Sequence, residues 1–412
     1  MKLQVLLLEA AGPESAAVVA AATAVGIGVH AATHSSMHAA YPPGLRDALT
    51  MVVFTDFTDP DRAIADLTGH AVEHGIGGVL TLHEFLTPLA ARLADALGLP
   101  GNDPGLAPCA RNKIAMAGRF TDCGVPIPAS WTADGPDEFA ALLASGDLPY
   151  PLVIKPAENA GSTGVTIATD PRQALAAAER AEACDRQPHY GIALDPRLLL
   201  QEHVTGAEYS VESVTQRGRT THLAITAKTT TPGTRRVEIG HNLPAALPAD
   251  ARETILTAAD AAITAVGIRD TASHTEIMLT PDGTCMIIEI AARLGSGQIG
   301  FLLQHALGLD PWTALLDLAL GRPIQTTPTR ARYAAIRFLT SPRPGRLTAI
   351  RGLPETGPQV PSVRLRRKVG DLAGGLDGNA DRIGHLLVTG TDPHHVAAHA
   401  DALLARIEID VT

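Results

Sequence analysis

Apolar runs of four to six residues alternate with longer stretches of helical spacing through the first quarter of the chain. LQVLLL over 3–8 is continuous enough to be a strand buried on both faces, and an alanine-rich segment over about 14–25 has helical length. GIGVHAAT, LTMVVFTDF (49–57) and GVLTL (78–82) read as further strands. A helix from about residue 60 and the helix EFLTPLAARLADALG separate and follow them. This alternation predicts an open parallel α/β domain over roughly 1–105. No GxGxxG follows its first strand, which argues against dinucleotide binding. GLPGNDPGLAPCARNK (98–113) is rich in Gly and Pro and marks a boundary. From 150 to about 300 strands dominate with short helices, an α+β pattern. From about 320 short strands and turns lead to a last helix, DPHHVAAHADALLARI. The chain therefore divides into 1–110, 111–318 and 319–412, and its class is α/β joined to α+β.

Residues 274–300, HTEIMLTPDGTCMIIEIAARLGSGQIG, break the pattern by carrying two acids on an apolar hairpin. Pro281 presets φ and Asp282-Gly283 tolerates the positive φ of a tight turn. A ladder symmetric about Asp282-Gly283 puts Glu276 opposite Glu289, with Ile277–Ile288 and Leu279–Met286 on a core-facing side. Directly opposed carboxylates about 5 Å apart at an effective dielectric near 20 repel by roughly 3 kcal/mol. A shared proton or a bound cation relieves that repulsion; a divalent metal is the sharper reading, and all-oxygen ligation favours Mg²⁺. Arg293 follows four residues later.

A second stretch, PLVIKPAENAGSTGVTIA (151–168), delivers Lys155 at a strand end and then a loop, Gly161-Ser162-Thr163-Gly164, before another strand. Glycines let backbone N–H groups approach phosphate oxygens, the two hydroxyls add donors, and Lys155 is a compact counter-charge. The loop lacks the GK[ST] of a Walker motif. LLLQEHVTGAEYSVESV (198–214) sets Glu202-His203-Val204 at a hinge between strands and Glu208 on the next. AITAK brings Lys228 near a strand end, and RRVEIGHNLPAAL places Glu238 and His241 three apart.

Composition narrows the function classes. The 412 residues are 45% hydrophobic with a formal net charge of −10, a soluble globular balance that disfavours general nucleic-acid binding. RLRRK at 364–368 is the single dense basic run and reads as a solvated face. Four scattered cysteines without a CxxC pair fit free thiols in a reducing cytoplasm. The first apolar run is interrupted by Glu9 and reads as a strand, not a signal peptide, and no charge-free stretch has membrane-spanning length. His394, His395 and His399, like His30, His34 and His38, read as solvated residues, with no carboxylate base beside them.

ARNK with Lys113, VIKP…GSTGV, QEHVTGAEYSVE, EIGH and HTE…IEIAARLGSG occur in an order that resembles the ATP-grasp superfamily of carboxylate–amine ligases. Within it, VEIGHNLPA and EIAAR are most similar to the bacilysin-type L-amino acid ligases, or dipeptide synthetases. The resemblance implies an ATP-grasp fold: an N-terminal open parallel α/β domain, a central lid over about 120–205, a catalytic sheet over about 206–318 and a C-terminal subdomain. It implies that Lys113, Lys155 and Gly161, Ser162, Thr163 and Gly164 bind the ATP phosphates. Glu202, His203 and Val204 would hold adenine, Glu208 the ribose, and Lys228 further phosphate oxygens. Glu276 and Glu289 would ligate Mg²⁺, with Mn²⁺ as a substitute. Arg293 would stabilise the acyl phosphate and oxyanion, and Glu238 with His241 would line the amino-acid site and handle the amine's proton. Many relatives carry Asn where this chain has Ala291, which leaves the number of metal ions open. Gly295, Ser296 and Gly297 replace a bulky aromatic and predict a wider substrate pocket, one that Gly297→Trp would narrow. The implied partners are a small carboxylate and a small amine, both amino acids, with no nucleic acid or membrane; relatives also imply a homodimer. A biotin-carboxylase-like or formate-using enzyme and a non-catalytic ATP-binding regulator are the competing classes.

Overall fold

The computed structural model describes residues 3–412. The first domain is a parallel sheet of β1 (Gln4–Leu8), β2 (Gly28–Thr33), β3 (Met51–Phe54) and β4 (Ile76–Leu80), in the order β3-β2-β1-β4. Helices Pro13–Ala24, Pro60–His74 and Thr87–Ala96 cover it. This is the expected open α/β layer, and its central strands are buried apart from the half-buried Gln4 because helices shield both faces. Two short helices, Ser35–Ala39 and Pro43–Ala48, occupy a stretch without helical periodicity in the sequence. His30 is buried, not solvated; its Nδ1 lies 2.8 Å from Nε2 of His70.

The lid is an antiparallel sheet of β5 (Ser130–Ala133), β6 (Leu152–Pro156), β7 (Thr166–Ala168) and β8 (Leu198–Glu202), ordered β5-β8-β6-β7. Leu152, Ile154, Leu198 and Leu200 pack with Phe139 and the alanines of helix Pro171–Glu182 into a core of its own. At β8 the chain leaves the lid for the large sheet, whose members begin with β9 (Ala207–Gln216), β10 (Arg219–Thr230), β11 (Glu238–Leu243), β12 (Thr271–Leu279), β13 (Cys285–Ala291) and β14 (Tyr333–Leu339). The remaining strands are β15 (Gly345–Arg351), β16 (Ser362–Leu365), β17 (Leu372–Ala373), β18 (Gly384–Gly390) and β19 (Glu408–Val411). The large sheet runs β13-β12-β9-β10-β11-β14-β18-β16, and β17-β15-β19 forms a separate small sheet.

One ladder thus crosses the expected 318/319 division, since β14 pairs with β11 on one side and β18 on the other. Continuing the sheet gives β11 a partner where it would otherwise be an edge. The C-terminal helix, Pro393–Leu404, is followed by β19, so the chain closes on a strand and not on the expected helix. One face of the large sheet packs on helices Lys113–Cys123 and Ala249–Ala265 through Phe120, Ile255 and Ile277. Its other face joins Leu302, Trp312 and Ile336 to Val5, Val18 and Leu7 of the first domain. Each fully buried side chain of this size contributes about 1.5–3 kcal/mol. The first domain is therefore welded to the large sheet, while the lid has a smaller independent core.

Candidate active site

Two β-bulges decide which side chains face the cleft between the lid and the large sheet. In the β12–β13 hairpin, Leu279 pairs with Cys285, Met278 with Met286 and Ile277 with Ile287. The turn is one residue longer than the symmetric ladder predicted, because Thr280 N–H bonds Thr284 O across three residues. Unbroken, that register would set Glu289 opposite Thr275 and turn it into the core. Ile288 is skipped, however, and Glu276 opposes Glu289 as expected. The expected Ile277–Ile288 and Leu279–Met286 pairs are corrected to Ile277–Ile287 and Leu279–Cys285, and Ile288 lines the cleft with Met278. The second bulge skips Ile239, so that Glu238 opposes Thr230 and His241 opposes Lys228. Residues three apart in a regular strand face opposite ways; the extra residue brings Glu238 and His241 to one side.

The cleft floor is dense in paired charge. Lys113 starts helix Lys113–Cys123 and places Nζ 3.0 Å from Oε1 of Glu289 and 2.7 Å from Asn159 O. Lys155 is buried at the end of β6 and donates to Gln201 Oε1 at 2.6 Å; burial lowers its pKa to about 8, against the pull of Glu289. Lys228 contacts Glu238, lies 2.5 Å from Glu276 and 3.6 Å from Glu208. Burial opposes its charge, but those three carboxylates hold its pKa well above the ordinary lysine value. Glu276 also meets His274 Nε2 at 3.2 Å, and His274 is kept protonated to about pH 9, burial being outweighed by Glu212. Burial raises the Glu208 carboxyl, with Lys228 only partly offsetting it. Arg293 pairs with Glu84 of the first domain, not with Glu289, and its guanidinium lines the cleft. Burial alone would raise the Glu84 carboxyl, but Arg293, Arg111 and Lys113 hold it down to about 2.

Above this floor lies the glycine loop. Gly161 and Gly164 have φ of 66° and 78°, and Ser162 shares the left-handed region at 63°. A Cβ on Gly164 would meet Pro156 at 2.7 Å, so the loop closes only with glycine there. Gly161, Ser162, Thr163, Glu202, His203, Val204 and Glu208 all line the same cavity as Glu276, Glu289, Lys113 and Lys155. At the hinge, Glu202 N–H is used by Ala129 O and His203 N–H by Pro151 O. Val204 N–H has no protein acceptor among the described residues. It lies beside the apolar Val153, Ile167, Met278 and Ile288, surfaces suited to a flat ring with an acceptor on its edge. Among the described residues no cluster of three His, Cys, Asp or Glu can enclose a metal ion. Two facing carboxylates fit a hard cation that completes its shell with phosphate oxygens and water, the usual Mg²⁺ arrangement.

Several expected residues stand apart from the main cavity, Gly164 and Gly295 among them, or are already engaged. Lys228 lies beneath it as the counter-charge of three glutamates. His241 is fully buried with both ring nitrogens unpartnered, stands edge-on to Phe338, and is driven down to a pKa of about 3 by burial. Glu238 reaches the cavity but already accepts from Lys228, from Asn379 Nδ2 at 3.0 Å and from Arg382 Nη2 at 2.8 Å. Gly297 has φ of 69°, and a Cβ there would lie 2.9 Å from His241 Nε2. Its missing side chain is thus accommodated by packing, so Gly297→Trp would strain the fold instead of narrowing a pocket. Gly295 and Ser296 do border a further cavity of about 210 Å³, walled by Gly12, Glu14 and His83 of the first domain.

Glu84, Asn159, Gln201, Arg236, His274 and Asn379 line the main cavity without having been singled out in the sequence. His274 had a usable signal, since it is two residues from Glu276 on one strand face. Glu84 and Asn379 come from distant segments and had none.

Three family descriptions match the chain: an ATP-grasp N-terminal domain over residues 19–101, an ATP-grasp domain over 148–300 and an L-amino acid ligase C-terminal domain 2 over 337–412. Carnosine synthase 1 of Gallus gallus is 28% identical over 288 residues, covering 65% of this chain and 31% of that protein. Alanine–anticapsin ligase of Bacillus subtilis is 26% identical over 278 residues, covering 64% of this chain and 58% of that protein. The matched stretch spans less than two thirds of either relative. The crystal structure of the L-amino acid ligase from Bacillus licheniformis has the same fold, with a TM-score of 0.85 at 23% identity over 100% of this chain and 99% of that one.

Proposed function

We propose, for a chain that belongs to the ATP-grasp superfamily of ligases, that this cleft binds ATP with a divalent cation and joins a carboxylate to an amine, both amino acids. The supporting observation is that Glu276 and Glu289 oppose each other across a hairpin and face the same cavity as Lys113, Lys155 and the glycine loop. In the first step the substrate carboxylate attacks the γ-phosphorus of ATP, giving an acyl phosphate and ADP. The amine then attacks the acyl carbon, and phosphate leaves as the amide forms. Such phosphoryl transfer depends on positioning and charge neutralisation. Glu276 and Glu289 would hold Mg²⁺, or Mn²⁺ in its place, which when bound supplies neutralising charge to the phosphates. Lys113 and Lys155 add fixed cations, Gly161–Gly164 cover the phosphates with N–H donors, and Val204 N–H meets the adenine edge beside Met278 and Ile288. Glu208 faces the ribose.

Arg293, oriented by Glu84, is the cation left to meet the acyl phosphate and the oxyanion. The amino substrates enter from the cavity under Ser296, where Glu14 is held by Gln298 Nε2 at 3.1 Å and offers an acid to an ammonium group. Glu238 and His241 brace the floor instead of taking the amine's proton. No helix of the described residues is long and apolar enough to cross a membrane. A cytoplasmic location and a homodimer complete the reading.

The test is ADP release with amino acids supplied singly and in pairs, with mass detection of the amide. Stimulation by pairs and a product of the summed mass less water are expected. Stimulation by bicarbonate or formate alone would replace this reading with the carboxylase or formate-using class, and bound ATP without turnover would replace it with a regulator.

A further inference from the structure

A turn of the C-terminal subdomain reaches into the cleft at a point where no phosphate contact was expected. Residues 377–382 leave β17 and form one 3₁₀ turn, Asn379–Asp381, whose start is tied down by Asp381 Oδ2 accepting from Asp377 N–H at 2.7 Å and Gly378 N–H at 3.2 Å. Asn379 then makes contacts in two directions. Its backbone N–H donates to Gly161 O at 3.0 Å, on the glycine loop. Its side chain grips Glu238 at both ends, donating from Nδ2 to Oε2 at 3.0 Å and accepting Glu238 N–H at 3.2 Å. Arg382, stacked 3.8 Å over the Phe338 ring, donates to Glu238 O at 2.9 Å and to Oε2 at 2.8 Å. Asp377 adds an ion pair at 3.3 Å to Arg235, on the chain leading to β11. The site of a Cβ on Gly378 is 3.4 Å from both Gly161 O and Thr163 Oγ1, so the turn and the loop are in van der Waals contact.

The two ends of this bridge differ in kind. Glu238 belongs to a buried, fully bonded network in the welded sheet and does not move cheaply. The glycine loop belongs to the lid, which has its own core, and three of its four residues lie in the left-handed region. A hydrogen bond from a fixed donor to a mobile acceptor selects one position of the acceptor.

Resting on the ATP reading above, we propose that the 377–382 turn is a clasp for the nucleotide phosphates: Asn379, anchored on Glu238, is a positioning residue that fixes the glycine loop over the triphosphate. It also lines the cavity itself, together with Gly161, Ser162 and Thr163. The clasp acts on phosphate-bearing ligands and leaves the adenine hinge alone, since Val204, Met278 and Ile288 are on other elements.

The probes are Mg·AMP-PNP and adenosine, titrated calorimetrically into the full chain. Asn379→Ala removes the two side-chain bonds that fix Asn379 on Glu238, leaving those of Arg382, and is expected to weaken Mg·AMP-PNP by about tenfold, the scale of one or two lost hydrogen bonds, while adenosine changes by less than about twofold. Gly378→Val keeps every clasp hydrogen bond but wedges a branched side chain against Gly161 and Thr163, and the same selective loss is expected. Unchanged Mg·AMP-PNP binding in both variants overturns the clasp, as does equal weakening of both ligands, which marks a merely structural turn. A wild-type chain that binds neither probe overturns the ATP reading itself, a result distinct from either.

Discussion

Glu276 and Glu289 differ in how they are neutralised, and that difference fixes what each substitution does. Glu276 shares Lys228 with Glu238 and Glu208, whereas Glu289 has Lys113. Glu276→Gln leaves Lys228 two carboxylates, and Glu289→Gln takes away the carboxylate paired with Lys113 but keeps an isosteric acceptor oxygen beside its Nζ, which also retains Asn159 O. Both should fold with a near-normal melting temperature and yet lose ADP formation by about 10²–10³-fold or more, the scale of a lost electrostatic contact to a transferring phosphoryl group. Near-normal turnover in both would remove the metal assignment. These two acids were readable in the sequence because a hairpin turn with two flanking glutamates has few sensible registers. Glu84, Asn379 and Arg382 were not, since their partners Arg293 and Glu238 lie 209, 141 and 144 residues away. Nothing local to a sequence encodes such a distance.

Strand existence and strand pairing were unequally legible. The apolar runs of β1, β2, β4, β6 and β8 were visible, but the bulges at Ile239 and Ile288 were not. A bulge is settled by neighbouring strands competing for the same hydrogen bonds. Glu238 and His241, three apart, would face opposite ways in a regular strand, and the unseen bulge sets them on one face of β11 over a lysine. The lid sheet, by contrast, keeps a core to itself. Leu200 is fully buried among Leu152, Ile154 and Phe139, and none of these belongs to the larger clusters. Leu200→Ala should cost about 2–5 kcal/mol within the lid. Hydrogen exchange should then show lost protection in residues 130–202 with the large sheet unaltered. Uniform loss across the chain would mean that the lid does not open as its own unit.

At the scale of the whole molecule, the lid is held by bonds such as Ile167 N–H to Thr234 O at 2.9 Å, and two of its other contacts are open to a direct test. One is the clasp; the other is Tyr190, which leaves the lid sheet to pack edge-on to Phe57 at 5.5 Å between ring centroids and joins the first domain's core. Its hydroxyl lies 2.9 Å from His83 Nδ1, and His83 Nε2 lies 3.0 Å from Ala11 O, next to the proposed amino-substrate cavity. A lid docked this way encloses the cleft, and a ligand-entry path requires the docking to be reversible. Arg180 and Arg186 are exposed on the lid and offer cleavage points to trypsin. Tyr190→Ala removes a buried ring that bridges two domains, so the open population should rise, and cleavage at these sites should accelerate by about tenfold or more. Mg·AMP-PNP, which engages lid and large sheet together, should restore most of the protection, because a ligand that binds only the closed form draws the equilibrium toward it. Unchanged cleavage would show that Tyr190 does not hold the lid. Acceleration that the nucleotide cannot reverse would show that the closed lid is not the nucleotide-binding state.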